Sequence, residues 1–335
     1  MQLFTLQNNT LEPIKKKDFA LEKNMQILVE DNLEILFWLT FIETEFSINN
    51  LRFDSVAFDY ETNSFVIIEY KRGSSYSVID QGFAYLSTLL NNKADFVLLL
   101  QEKSERFLKK NEIDWSQTRV MFLADSFNYH QKNSINFKDL PIELWEIKQF
   151  LNNTISINQI RATQQTESIK TLENRIQKVG FIDDFEDDNL DKVPIHQRKQ
   201  ESVKPNLIAD VQSEILIRTE NDFLIGKPEH VVELYEQIKD ILISINPDID
   251  IIAKTIYISF KVNWKNFVEI EINSSGLILW LNWNFDAIPN KYWLVRDCRW
   301  KGHHWVWNNQ IKIKSIENIW KITDILRESY KLLFN

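Results

Sequence analysis

The segment LRFDSVAFDYETNSFVIIEYKRG, residues 51–73, constrains this chain more than any other. Two β-rich runs, 51–60 and 64–72, flank the polar turn Glu61-Thr62-Asn63-Ser64, which is a hairpin signature. A loop symmetric about 62/63 pairs Asp54 with Lys71 and Val56 with Glu69. Side chains alternate along a strand with period two, so Asp54, Glu69 and Lys71 fall on one face. A slip of one residue breaks the set, and Asp59 is then the reserve carboxylate.

Those residue types suit metal-dependent hydrolysis of phosphodiesters. Two carboxylates a few ångström apart repel, and both stay ionised only with a cation between them; hard oxygen ligands with open water positions suit Mg²⁺ or Mn²⁺. Such an ion polarises a phosphoryl oxygen and acidifies water, while Lys71 holds that water or offsets charge developing on phosphorus. The same residues also fit an ordinary exposed hairpin with a cross-strand Asp/Lys pair.

The flanks narrow the choice. Upstream, FALEKNMQILVEDNLEILFWL has apolar residues at 21, 25, 28, 29, 33, 36 and 37, a helical period, with Glu22 near its start and Glu30 two turns on. Downstream, SVIDQGFAYLSTLL is a second amphipathic helix, with Gln81 and Tyr85 one turn apart on one face. ADFVLLL then reads as a strand, Gln101–Lys110 as a charged helix, and TRVMFLA and IELWEIKQF as strands.

With these pieces in place, the segment of roughly residues 15–150 resembles the PD-(D/E)XK nuclease superfamily, in particular its RecB-like and archaeal NucS/EndoMS-like branch. RFD matches the family's Asp at Asp54, IIEYK supplies Glu69 and Lys71, and DQGFAY resembles the Gln-x-x-x-Tyr motif at Gln81 and Tyr85. The helix LEKNMQ resembles the family's first helix, whose Glu assists metal binding; Glu22 matches best and Glu30 second. Arg52-Phe53 replaces the nominal Pro before the Asp, a residue that is not a ligand. The resemblance implies an α/β fold with a mixed central sheet flanked by helices, and a catalytic set of Asp54, Glu69, Lys71, Gln81, Tyr85 and Glu22. Within that set Asp54, Glu69 and Glu22 hold the metal.

Composition sets the wider frame. A length of 335 residues suggests two domains, and 44% hydrophobic residues supply ample cores. No basic-then-apolar leader opens the sequence, and the longest apolar run, ILFWLTFI, is far below a membrane span. The lone Cys298 excludes an internal disulfide framework and Cys-based zinc clusters, and reads as a packed small side chain. The expectation is a soluble, cytoplasmic protein. Its net charge of −9 conceals a basic end, since residues 251–335 hold 12 Lys+Arg against 7 Asp+Glu.

Residues 151–227 read as a polar linker with a possible bridging helix around Ile169, Leu172 and Ile176, and the acidic run FIDDFEDD reads as solvated chain. Residues 228–335 then form a separate α+β unit with an antiparallel sheet: a helix from Pro228, strands in TIYISFKV, NFVEIEIN, GLILWLNW and QIKIK, and a closing helix. Eight of the eleven tryptophans lie here. Cations interleave with the rings around Arg296, Arg299-Trp300-Lys301 and His303, a pattern suited to phosphate contact and base stacking, with Arg72 as a further contact beside the hairpin. His303 and His304 are adjacent, so on a strand they point to opposite faces and cannot chelate one ion. The region resembles an uncharacterised domain found behind nuclease-like modules, some members of which are labelled predicted transport proteins.

The expectation is therefore a Mg²⁺-dependent DNA endonuclease of defence or repair. DNA is its partner, with a homodimer and further defence-system proteins as possible associations. The alternative is a module that keeps the nuclease fold but only binds.

Overall fold

The computed structural model describes residues 2–49, 51–71, 78–104, 108–136, 140–161, 205–283, 293–298, 309–317 and 319–334. An N-terminal hairpin, β1 (Phe4–Gln7) and β2 (Thr10–Pro13), precedes the short β3 (Lys16–Lys17). Helices α1 (Glu22–Glu30) and α2 (Leu33–Phe37) lead into three antiparallel strands, β4 (Thr40–Ile48), β5 (Leu51–Asp59) and β6 (Ser64–Lys71). Next come α3 (Val78–Asn91), α4 (Lys93–Lys103), β7 (Arg119–Ala124), α5 (Tyr129–Ser134), β8 (Ile142–Phe150) and β9 (Ile155–Ile160).

These strands build a seven-stranded sheet in the order β3-β8-β7-β6-β5-β4, with β9 also paired to β8. It is mixed: β6 runs parallel to β7 and β7 to β8, while the other pairs are antiparallel. Period-two alternation gives each face its own core. Ile67, Phe122 and Leu144 pack under α3 and α4 on one face, and Val66, Ile68, Met121 and Ile147 pack against α1 and α2 on the other. Helix α3 lies close to the sheet because Gly82 has no Cβ; one added there would sit 2.5 Å from Ile142 Cδ1.

The ADFVLLL run, expected as a strand, is the body of α4. Its apolar residues are also helix-spaced, and Phe96, Leu99 and Leu100 are the ones buried. Strand β4 carries no clear alternation in sequence, since exposed Glu and Thr side chains interrupt it.

Within the stretch read as linker, β9 extends the first sheet, and α6 (Pro205–Glu214) with the residue beyond it places Val211 and Ile215 in the core beneath α3. The Ile169–Ile176 helix and the FIDDFEDD run lie outside the described residues.

Helices α7 (Glu220–Leu224) and α8 (Glu229–Ile245) precede β10 (Asp250–Ala253), β11 (Ile258–Val262), β12 (Lys265–Asn273) and β13 (Gly276–Leu281). After these come β14 (Arg296–Asp297), β15 (Asn309–Ile313) and α9 (Ile319–Phe334). The second sheet is antiparallel throughout, in the order β10-β11-β12-β13-β15-β14. Buried residues of α8 and α9, among them Leu234, Ile238, Ile322 and Leu326, share a core with Phe260, Ile270 and Leu279 of this sheet.

The two sheets meet through the β11–β12 hairpin. Its two-residue turn, Asn263-Trp264, has both φ angles positive, at 49° and 66°, as the right-handed twist of a tight hairpin demands. The turn lays Trp264 against Trp145, with ring centroids 4.6 Å apart. Lys261 pairs with Glu61 at 2.5 Å, and Thr255 donates to Asp114 at 2.5 Å. Cys298 is buried. Among the described residues no helix is long and apolar enough to cross a membrane.

Candidate active site

The β5–β6 hairpin closes through the four residues 60–63, with Asn63 at φ 50°. Observed pairs include Ser55 with Ile68 and Asp59 with Ser64, so each residue's partner differs by two from the symmetric-loop expectation. An even shift preserves faces. Continued one residue beyond the last observed pair, this register sets Asp54, rather than Val56, across from Glu69.

Backbone pairing between β5 and β6 stops at Ser55/Ile68, and the strands part there. The Tyr70 amide, which loses its strand partner, donates instead to Asp54 Oδ2 at 3.1 Å. Strict alternation breaks at the same point, because Phe53 and Val56 both join the core under α3. Across on β4, Glu45 has φ 52°, and Glu45 and Asp54 are skipped between the pairs Thr44–Ser55 and Phe46–Phe53. Such irregularities re-aim a side chain out of the regular pleat.

Glu69 is 4% exposed, and its carboxylate is held from three directions. Lys71 Nζ and Gln81 Nε2 donate to Oε1 at 2.7 and 2.8 Å, and the Tyr85 hydroxyl donates to Oε2 at 2.8 Å. Gln81 Nε2 also reaches the Tyr85 hydroxyl at 2.7 Å, and the Tyr85 ring packs on Phe53 with centroids 5.1 Å apart. Gln81 and Tyr85 can do this because i and i+4 share a helix face. Burial, together with the nearby Glu69 charge, pushes the Asp54 carboxyl up to about 6, against the pull of the Tyr70 amide and Lys71. Burial and Glu69 also raise the Tyr85 phenol, which keeps it a donor.

The structure thus brings together five of the residues singled out in the sequence: Asp54, Glu69, Lys71, Gln81 and Tyr85. It does not add Glu22 to them. That side chain is exposed, beside Met25 and Asp125, and among the described residues no three His, Cys, Asp or Glu side chains gather closely enough to hold a metal ion. Glu30 is turned toward α1's own side of the sheet, where it accepts from Gln26 at 2.9 Å and from Ser55 Oγ at 2.5 Å. Asp59 is no reserve carboxylate. At the far end of β5 it accepts the Glu61 and Thr62 amides and pairs with Arg119 at 3.1 Å.

The donor set present, two adjacent carboxylates with one held near neutrality, fits a hard divalent cation that takes its remaining ligands from water or substrate oxygen.

Two further groups adjoin the site. Gln26 Nε2 donates to the Asp54 backbone carbonyl at 2.9 Å, bracing the strand where it parts. On β8, Glu146 and Lys148 form a second Glu-X-Lys, with Lys148 Nζ 2.7 Å from Glu146. Lys71, Ala124 and Glu146 are successive neighbours in register across β6, β7 and β8. The repeated Glu-X-Lys was visible in IELWEIKQF. Of the expected nucleic-acid contacts, Arg296 is exposed on β14, and Arg72, Arg299, Trp300, Lys301 and His303 lie outside the described residues.

No family profile matches the chain. Two solved structures are similar to it over a part. One, described as a complex of EndoMS with dsDNA, is 18% identical over 39% of this chain and 48% of its own, with a TM-score of 0.23. The other, a repair endonuclease from Pyrococcus abyssi, is 17% identical over 38% of this chain and 48% of its own, with a TM-score of 0.21. This chain therefore spans about half the length of each. A Haemophilus influenzae protein described as uncharacterised is 35% identical over 334 residues, 99% of this chain and 100% of that protein, and the chain belongs to the family of that protein.

Proposed function

We propose that the chain is an endonuclease that hydrolyses DNA phosphodiester bonds with Mg²⁺ or Mn²⁺ held by Asp54 and Glu69. The observation that carries this reading is the pairing of those two carboxylates where β5 and β6 part, with Lys71 on Glu69. When bound, the cation supplies Lewis acidity toward a phosphoryl oxygen and lowers the pKa of water.

The chain's own residues do the remainder. Gln81 and Tyr85 fix the Glu69 rotamer, so its oxygens need no reorganisation on binding. Lys71 supplies a positive charge beside the reacting phosphate, where it orients the attacking water and offsets developing charge. Arg72, Arg296, Arg299, Trp300, Lys301 and His303 serve as contacts to the nucleic acid. The second sheet with its helices acts as the recognition unit. Two copies would supply the two centres needed to cut both strands.

The test is purified protein on supercoiled plasmid with Mg²⁺ or Mn²⁺ and an EDTA control, beside Asp54→Asn and Glu69→Gln. Cleavage present only in the wild type with metal supports the reading. Cleavage undiminished in both variants removes it. Binding without cleavage by the folded wild type favours the module that only binds.

A further inference from the structure

A cavity of about 210 Å³ lies where the first sheet meets the second, walled by the N-terminal ends of β7 and β8 and by the turn between β10 and β11. It sits at the other end of β5 from the candidate active site. Asp59 on its wall is five residues from Asp54, roughly 17 Å along an extended strand.

Its wall carries three carboxylates, Asp59, Glu61 and Glu143, and three cations, Arg119, Lys254 and Lys261, so the charges balance. Arg119 pairs with Asp59 at 3.1 Å and Glu143 at 3.0 Å, and Lys261 pairs with Glu61 at 2.5 Å. Lys254 is the cation outside these direct pairs. It is 8% exposed and lines the cavity, yet among the described residues no carboxylate comes within ion-pair distance of its ammonium. Its backbone is pinned by an amide bond to the Tyr257 carbonyl at 2.8 Å, so the side chain is held at this wall. Burial lowers its pKa, with Lys261 and Arg119 acting in the same sense, while the Glu61 and Asp59 charges raise it. Thr118, also on the wall, has a buried hydroxyl with no hydrogen-bond partner. A buried hydroxyl left without a partner is costly, and an anion that accepts its hydrogen bond while facing Lys254 relieves that cost.

The rest of the wall is apolar and aromatic, including Trp38, Trp264 and Ile252. The volume equals about seven waters at roughly 30 Å³ each, and falls below the roughly 300–1,000 Å³ of drug-sized pockets. A ligand of one or two rings fits.

We propose that this cavity binds a small planar anion, an aromatic ring carrying one carboxylate or phosphate, whose acidic group pairs with Lys254 and whose ring lies against Trp264. The proposal does not rest on phosphodiester hydrolysis, because no residue is shared with the candidate active site.

Titration calorimetry on the full-length protein tests it. The probes are benzoate and indole-3-carboxylate as ring carboxylates, and phenyl phosphate as a ring phosphate. Indole and inorganic phosphate supply the ring and the anion alone. At least one ring-bearing anion should bind saturably, at least tenfold more tightly than either fragment control, and the set that binds identifies the carboxylate or the phosphate as the acidic group. Lys254→Gln should weaken that binding at least tenfold with the circular dichroism spectrum retained. Ala253→Leu, which fills the cavity from β10, should abolish it and stands in if the first variant fails to fold. No saturable binding by any probe, or binding unchanged in a folded variant, overturns the proposal and leaves a cavity that holds water only.

Discussion

The Tyr70 amide donates to Asp54 Oδ2 at 3.1 Å where β5 and β6 cease to pair, so a carboxylate takes the place of a ladder carbonyl. Asp54 is thereby fixed by the backbone of the residue next to Glu69. A backbone hydrogen bond thus positions the Asp54 carboxylate beside Glu69, which is the preorganisation a metal site requires.

Acidity follows from that placement. The Asp54 carboxyl is raised from 3.8 to about 6, first by burial and then by Glu69. Between pH 4 and 6 the folded state therefore holds a proton that the unfolded chain has released, so Asp54's contribution to stability is complete below pH 4, falls as pH rises through 6, and is flat beyond. A divalent cation reverses the preference by stabilising the carboxylate. Cation affinity should fall about tenfold per pH unit below 6, and calorimetric titration of Mn²⁺ from pH 5 to 8 measures it. Affinity independent of pH over that range would remove Asp54 as a ligand.

Neutralising the same residue should separate stability from activity. Asp54→Asn keeps an acceptor for the Tyr70 amide and removes a half-buried like charge beside Glu69. The metal-free protein at pH 7.5 should gain roughly 1–2 kcal/mol, a figure already reduced for the partial exposure of the group. Cleavage should fall below detection in the same variant. Urea unfolding beside a plasmid assay reads both, and a destabilised Asp54→Asn would contradict the repulsion inferred at this site.

Tyr85→Phe removes the donor to Glu69 Oε2 at 2.8 Å and leaves a buried oxygen unsatisfied. The folded state should lose about 1–3 kcal/mol, and turnover should drop roughly 10- to 1000-fold while KM moves little. Gln81→Leu, which breaks bonds to both Glu69 and Tyr85, should behave similarly. Single-turnover rates at saturating DNA make the comparison, and unchanged rates in both variants reduce the pair to helix packing.

The core of this site was readable in the sequence because it rests on short-range rules. Glu69 and Lys71 share a face through strand alternation, which a two-residue change of register leaves intact, and the same hairpin brings Asp54 beside them. Gln81 and Tyr85 are placed by one turn of helix. What the sequence hid depends on partners distant along the chain. The parting of β5 from β6 at Ser55/Ile68 comes with Glu45 of β4 at φ 52°, a conformation that its residue type does not announce. ADFVLLL carries a strand-like composition, and only the packing of Phe96 and Leu100 under the sheet decides for a helix. The distance of Glu22 from the carboxylate pair was equally out of reach, because helical periodicity gives a face but not the height at which the helix crosses the sheet.

The second Glu-X-Lys provides the last prediction. Lys132 and Lys148 each lie 2.7 Å from the Glu146 carboxylate, which burial would raise but the two lysines hold below its ordinary range. Two cations share one anion, leaving a positive excess beside Lys71 across the small Ala124. If the scissile phosphate sits at Lys71, its neighbour along the strand meets this pair. Lys132→Ala and Lys148→Ala should each weaken DNA binding and flatten the log Kd against log salt slope by about 0.9, with turnover at saturating DNA preserved. Glu146→Gln should act in the opposite sense, tightening binding and steepening the slope, because it frees both lysines. Fluorescence anisotropy between 50 and 300 mM KCl resolves the three slopes. If all match the wild type, Lys132, Glu146 and Lys148 serve only to hold α5 against β8.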